Sequence, residues 1–241
     1  MSAEERPLAA VPLAVWLLLA ASAAAQIAWQ ARSGAPEPAA EQLPAAPSAA
    51  VLRAASFGEA EAAARLAMLY LQAFDSRAGN TLPYQRLDYA RVLAWLRAIL
   101  ETDPRSGYAL FSAARIYAEN PDPEKSRAML EFVHREFFRD PNRRWPWLAH
   151  AALLAKHRLQ DLTLARRYAQ AIDRYTTDPG VPLWAKQMEI FILEDMNELE
   201  AARIMLGGLI ESGKVRDPGE LRFLRGRLQE LERRLGKGRG R

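Results

Sequence analysis

The chain of 241 residues is long enough to bury a real core, and half of it is hydrophobic with about a quarter charged, which fits neither a disordered chain nor a polytopic membrane protein. It has no cysteine, so disulfides, thiolate metal sites, a cysteine nucleophile and a lipidated cysteine are excluded. The net charge of +4 is uneven: residues 214–241 hold ten basic and four acidic side chains, so the excess sits in the tail and no nucleic-acid face is indicated across the domain.

A short polar tail, residues 1–6, comes first. No residue between Arg6 and Arg32 is charged, a run of 25 rich in leucine, valine and tryptophan. As a helix rising about 1.5 Å per residue it spans a hydrocarbon core of roughly 30 Å. Residues 7–31 are therefore expected to anchor the chain in a membrane, with Trp29 at the interface. A cleaved secretory signal is the competing reading, because Ala23-Ala24-Ala25 before Gln26 has the small-residue spacing of a signal-peptidase site. Glu4 and Glu5 beside Arg6 make a poor basic head for such a signal. With only six residues ahead of the helix, the bulk of the chain is expected outside the cytoplasm. Residues 32–50, rich in alanine and proline, read as a semi-extended tether.

From residue 51 to 236 the apolar residues recur at three and four, so helices are expected and strands are not. Expected helices run over Glu59–Phe74, Leu87–Leu100, Ser106–Glu119, Pro123–Phe138, Pro146–Leu159, Asp161–Tyr175, Pro182–Met196 and Glu198–Glu211. An Asp-Pro pair returns at 103/104, 140/141, 178/179 and 217/218, a period of 37 to 39 residues. Self-similarity at such a period marks stacked repeats. After the last pair, Leu221, Leu224, Leu228, Leu231 and Leu235 line one side of a final helix, as a terminal cap requires. Residues 237–241 read as a frayed basic tail.

These residues resemble the tetratricopeptide repeats, antiparallel helix pairs of about 34 residues. Leu110, Ala114 and Tyr117 match the large, small and aromatic positions of that motif's first helix. Trp147, Ala151 and Leu154 match in part, and Trp184, Met188 and Phe191 in size alone. Ser126, Ala165 and Ala201 suit the small position of the second helix, and Pro141, Pro179 and Pro218 the closing proline. The repeats run three to five residues longer than that motif. The resemblance covers about Glu59 to Leu235 and implies an all-α solenoid of three to four helix pairs with a capping helix. More loosely, the chain is similar to membrane-tethered repeat proteins that serve bacteria as envelope assembly factors.

In that family the first helices line a groove for a peptide or partner helix. Carried onto this chain, the groove presents Tyr108, Phe111, Arg115 and Glu119, then Trp145, Leu148, Ala152 and Lys156, then Glu189, Ile192 and Leu193. Its mixed lining suits a protein segment better than a polyanion. Asn142-Arg143-Arg144-Trp145-Pro146-Trp147 adds residue types that make binding hot spots, although Trp147 reads as core and Trp145 as a staple of the helix start.

Catalytic patterns are sparse. Gly208, four residues, then Gly213-Lys214 imitates a phosphate loop, but Val215 replaces the magnesium-binding hydroxyl and helices surround it, so a glycine-closed helix end is expected. His150 and His157 lie about 10 Å apart along a helix, too far to chelate one ion. Glu131 and His134 form one Glu-x-x-His where a di-iron centre needs two. No cofactor, metal or enzymatic activity is expected. The reading is a membrane-anchored repeat protein, scaffold or assembly factor at a bacterial inner membrane, with its repeats periplasmic. An exported soluble binder of envelope peptide or carbohydrate and an envelope hydrolase are the alternatives.

Overall fold

A computed structural model describes residues 12–32, 42–76, 83–215 and 217–238. The expected tail of 1–6, the start of the expected anchor, residues 33–41 of the expected tether and residues 239–241 lie outside that set. Among the described residues every regular element is helical. The elements are α1 (Leu13–Arg32), α2 (Ala49–Ala55), α3 (Ala60–Ser76), α4 (Tyr89–Thr102), α5 (Gly107–Arg115), α6 (Pro123–Phe137), α7 (Pro141–His157), α8 (Leu162–Tyr175), α9 (Leu183–Lys186), α10 (Met188–Asp195), α11 (Leu199–Glu211) and α12 (Pro218–Gly238).

Among the described residues no helix is long and apolar enough to cross a membrane. The described portion, α1, exposes Leu17, Leu18, Leu19, Ile27 and Trp29. It carries no acid in its first turn and no base before Arg32.

Helix starts follow the sequence signals. Asp88 accepts from the amides of Ala90 and Arg91, Asp122 from those of Glu124 and Lys125, and Asp161 from that of Leu164. Each oxygen satisfies amides that a first turn leaves without partners. Each recurring Asp-Pro pair falls just ahead of, or at, the start of α5, α7, α9 and α12.

Beyond α1, packing runs between chain neighbours: α3 on α4, α5 on α6, α7 on α8, α10 on α11 and α11 on α12. Successive units also meet, α3 on α5, α5 on α7, and α8 on α9 and α10. The main core runs from Leu43 through Leu71, Leu96, Tyr117, Phe132 and Tyr168 to Ile192. A second core joins Ile190 and Leu193 of α10 to Ala202 and Leu206 of α11 and to Leu224 and Leu231 of α12. Helix α10 thus contributes to both. All five leucines expected on the inner side of α12 are buried or half-buried.

Four differences from the sequence reading have physical causes. The expected tether is no free spacer over 42–48, because Leu43 is fully buried. Arg91 Nη1 donates to the Leu43 carbonyl at 2.6 Å and Trp95 Nε1 to that of Pro44 at 2.9 Å, strapping this extended stretch onto α4. The unexpected helix α2 follows, with Ser48 accepting from the Val51 amide.

Helix α5 stops at Arg115, and a 3-10 turn, Tyr117–Glu119, replaces the expected continuation to Glu119. There the Tyr117 carbonyl accepts from the Tyr89 hydroxyl at 2.9 Å and the Ala118 carbonyl from Ser126 at 2.7 Å. Side chains take the bonds a longer helix would have made.

Helix α7 begins at Pro141 rather than Pro146, which sits inside it. A proline there forfeits the amide bond to the carbonyl four residues back. Tertiary bonds fix this first stretch of helix instead. Asn142 Oδ1 accepts from the amides of Thr177 and Asp178 at 2.8 and 3.0 Å, while Arg144 Nη2 donates to the Pro104 carbonyl at 2.7 Å. The start of α7 therefore clamps the Asp-Pro turns on either side of it.

The expected Pro182–Met196 helix is interrupted at Gln187, between α9 and α10. The buried Gln187 amide donates to Glu220 of α12 at 3.1 Å.

Candidate functional site

The first helices α3, α5 and α7 lie side by side with α5 in the middle. Tyr108 and Phe111 sit one turn apart on α5, and both stay more than a third exposed. The Tyr108 hydroxyl donates to Gln72 Oε1 of α3 at 2.5 Å. The Phe111 ring meets Trp147 of α7 edge to face with centroids 5.8 Å apart. One more turn along α5, Arg115 is exposed, as is Glu119 in the 3-10 turn beyond it. Both act on His150 of α7: burial and the Arg115 guanidinium lower its pKa, and Glu119 opposes them. His150 Nε2 is buried with no protein partner. Gln72, Tyr108, Phe111, Trp147, Arg115 and His150 thus form one surface across three helices.

Of the residues expected in the groove, Tyr108, Phe111 and Arg115 of α5 and Glu119 of the 3-10 turn are exposed. On α7 the expected register is shifted. Leu148 and Ala152 are buried, and the half-buried Trp147 and His150 take the surface beside α5. Trp145 is half-buried and meets Trp184 of α9 edge to face at 5.5 Å, so it links two units. Lys156 pairs with Asp195 of α10. On α10, Glu189, Ile192 and Leu193 are core residues, not groove lining. Glu189 is held inside by Arg166 at 3.0 Å and Gln170 at 2.7 Å. On α7 the expectation took Leu148 in place of Trp147 because a helical stripe shifted by one residue satisfies the same periodicity, and it named no groove residue on α3, where Gln72 lies.

Of the two guanidiniums before Trp145, Arg144 is buried against Glu136, and Arg143 stays exposed beside Asp140. Glu131 pairs with Arg167, and His134 packs between Phe138 and Tyr168 at 5.0 and 4.8 Å. Burial foremost, then Arg167, lowers the His134 pKa. Among the described residues no group of histidine, aspartate and glutamate is placed to hold a metal ion. The phosphate-loop imitation lies at the end of α11, where Gly213 takes a φ of +66° that glycine adopts without strain.

No family model, curated protein or solved structure matches this chain.

Proposed function

We propose that this chain is a membrane-anchored protein of stacked, tetratricopeptide-like helix pairs that binds a protein segment on the α3–α5–α7 face. On this reading it serves as a scaffold or assembly factor at a bacterial inner membrane, with the helical domain on the outer side. The observation that carries it is the Tyr108 and Phe111 pair, exposed on α5 yet joined to Gln72 of α3 and Trp147 of α7. Aromatic side chains and arginine on a preformed surface are the residue types that dominate protein–protein affinity. The alternation of short loops and packed helix pairs, with an Asp-Pro pair ahead of α5, α7, α9 and α12, supports the stacked arrangement. The uncharged run of residues 7–31, with its exposed leucines in α1, supports the anchor.

Crosslinking in cells followed by purification from native membranes tests this function. A stoichiometric protein partner recovered with wild type, and lost with Phe111→Ala combined with Arg115→Glu, is the expected result. A partner retained by that variant removes the face from consideration. Reporters fused to the C-terminus test the topology: alkaline phosphatase is expected to be active there, and a fluorescent green protein in its place would reverse the orientation.

A further inference from the structure

At the end of the domain nearest α1 in sequence, the 42–48 strap, α2 and α3 enclose a cleft of about 620 Å³. Pro44 and Pro47 of the strap, Leu52 of α2, Leu66 and Tyr70 of α3 and the Trp95 indole of α4 contribute to its lining. We propose that this cleft takes up one straight acyl chain of a bilayer lipid, with Phe57 as the side chain that enters the apolar layer beside it.

Four observations converge on that occupant. The volume is that of a small-molecule site, and the lining is aliphatic and aromatic. Two polar groups next to it are already engaged: the Pro44 carbonyl accepts from Trp95 at 2.9 Å, and Ser56 Oγ donates to the Arg53 carbonyl at 2.7 Å. A ligand that asks for no hydrogen bonds suits such a surface, whereas an extended peptide would bury unpaired amides. Glu59 also lines the cleft and disfavours a free carboxylate there, so an ester-linked chain is favoured over a fatty acid.

Phe57 joins α2 to α3 with a φ of +50°, a strained region for a bulky residue, and its side chain is 96% exposed. It sits between Ser56 and Glu59, both of which line the cleft. Leu66 and Tyr70 of the lining are exposed as well, and exposed apolar side chains along a cleft mark a surface that meets something other than water. Residues 33–41 separate α1 from the strap, so the strap begins no more than about 35 Å from Arg32 even when fully extended. This last argument rests on the proposed anchoring of residues 7–31, and the cleft itself does not.

The test uses the full chain reconstituted in palmitoyl-oleoyl phosphatidylcholine vesicles doped with phosphatidylcholine bearing a diazirine at the end of one acyl chain. After illumination, labelled peptides are mapped by mass spectrometry. Label on residues 44–70 is expected, lost in Ala63→Phe, which fills the cleft, and reduced in Phe57→Ser. Should Ala63→Phe alter the circular dichroism, Leu66→Glu at an exposed position replaces it. Label confined to residues 7–31, or label on 44–70 unchanged in both cleft variants, overturns the proposal. A diazirine palmitic acid that labels 44–70 when the vesicle lipid does not overturns the bilayer source. Label on 44–70 without label on 7–31 keeps the cleft and defeats the anchor, so the two readings fail separately.

Discussion

Arg144 and Glu136 form an ion pair inside the protein, Nη1 to Oε2 at 3.0 Å, with both side chains about nineteen-twentieths buried. The same Nη1 donates to the Glu136 carbonyl at 2.6 Å, and Nη2 to the Pro104 carbonyl at 2.7 Å. One guanidinium thus joins the end of α6, the start of α7 and the turn that leads into α5. Its partner on the same stretch, Asn142, holds the turn that leads into α9. Spacing between successive helix pairs is therefore set by two polar side chains in the first turn of α7, Asn142 and Arg144, in addition to apolar packing.

Replacing Arg144 by methionine leaves a buried carboxylate without its main partner, and such losses cost about 3–5 kcal/mol. Arg139 Nε, 3.4 Å from the same oxygen, offsets part of this, so the lower end is expected. Adding Glu136→Met should recover much of the loss, because an apolar pair of similar volume removes the desolvation problem. Urea unfolding of both variants checks it. A single variant that loses under about 1 kcal/mol would show that the pair is screened by water.

The sequence disclosed the helices because apolar periodicity and aspartate caps are local signals. Asp122 before Pro123 and the leucines of α12 illustrate this, since each needs only neighbours within a few turns. The burial of Leu43 depended on Arg91 and Trp95, whose bonds to the strap span 48 and 51 positions, which no composition of the 32–50 stretch could disclose. Arg144 looked like a binding residue for the same reason, its partner Pro104 carbonyl being 40 positions distant. On α7 the choice between Trp147 and Leu148 as the outward position turned on a rotation of about 100°, one residue of a helix. The proline at 146 concealed the register further, because it suggested a helix start five residues too late.

Acid should weaken the fold in the range where histidines titrate. The His134 and His150 pKa values are both lowered in the folded chain, chiefly by burial. The unfolded chain then binds more protons between the folded and unfolded values, so stability rises with pH there and falls below about 6.5. Around His134, Arg167 and Arg135 add to the lowering and Glu131 resists it. His134→Gln should flatten the change in unfolding midpoint between pH 7.5 and 5.5. An unchanged slope would assign the effect to His150, which His150→Gln then isolates. Asp161 has a lowered pKa from its bond to the Leu164 amide, so its stabilisation is present above the usual carboxylate range and fades only in stronger acid.

The C-terminal core should loosen by itself. Leu224 is almost completely buried among residues of α10, α11 and α12, while α5 to α8 belong to the other core. Leu224→Ala should cost about 2–5 kcal/mol locally. Arg227 and Gln187, which reach Glu194 and Glu220 across the same interface, are lost with it if α12 lifts away. Hydrogen exchange should speed up in α11 and α12 and stay slow in α6 and α8. Uniform acceleration would mean that the two cores unfold as one unit.

Stability and binding should separate on the α3–α5–α7 face. Leu148 and Phe111 belong to one groove on the sequence expectation, but Leu148 is fully buried and Phe111 keeps 38% of its surface in solvent. Leu148→Ala is expected to cost about 2–5 kcal/mol through the cavity it leaves. Arg115→Ala, at an exposed position, should stay within about 0.5 kcal/mol. Phe111→Ala forfeits its edge contact with Trp147, which is worth about 0.5–1.5 kcal/mol beyond the area it buries. If a protein segment seats on this face, Phe111→Ala and Arg115→Ala lose the partner at temperatures where the fold is intact, whereas Leu148→Ala loses it only as the fold melts. Phe138 supplies the control, since it is an exposed aromatic that meets Tyr175 of α8 at 5.0 Å on a separate surface. Partner binding that survives Phe111→Ala and fails with Phe138→Ala would move the interaction from the first helices to the second helices α6 and α8. The measurement is a pull-down from native membranes at matched fractions folded, which keeps a stability loss from passing as a lost contact.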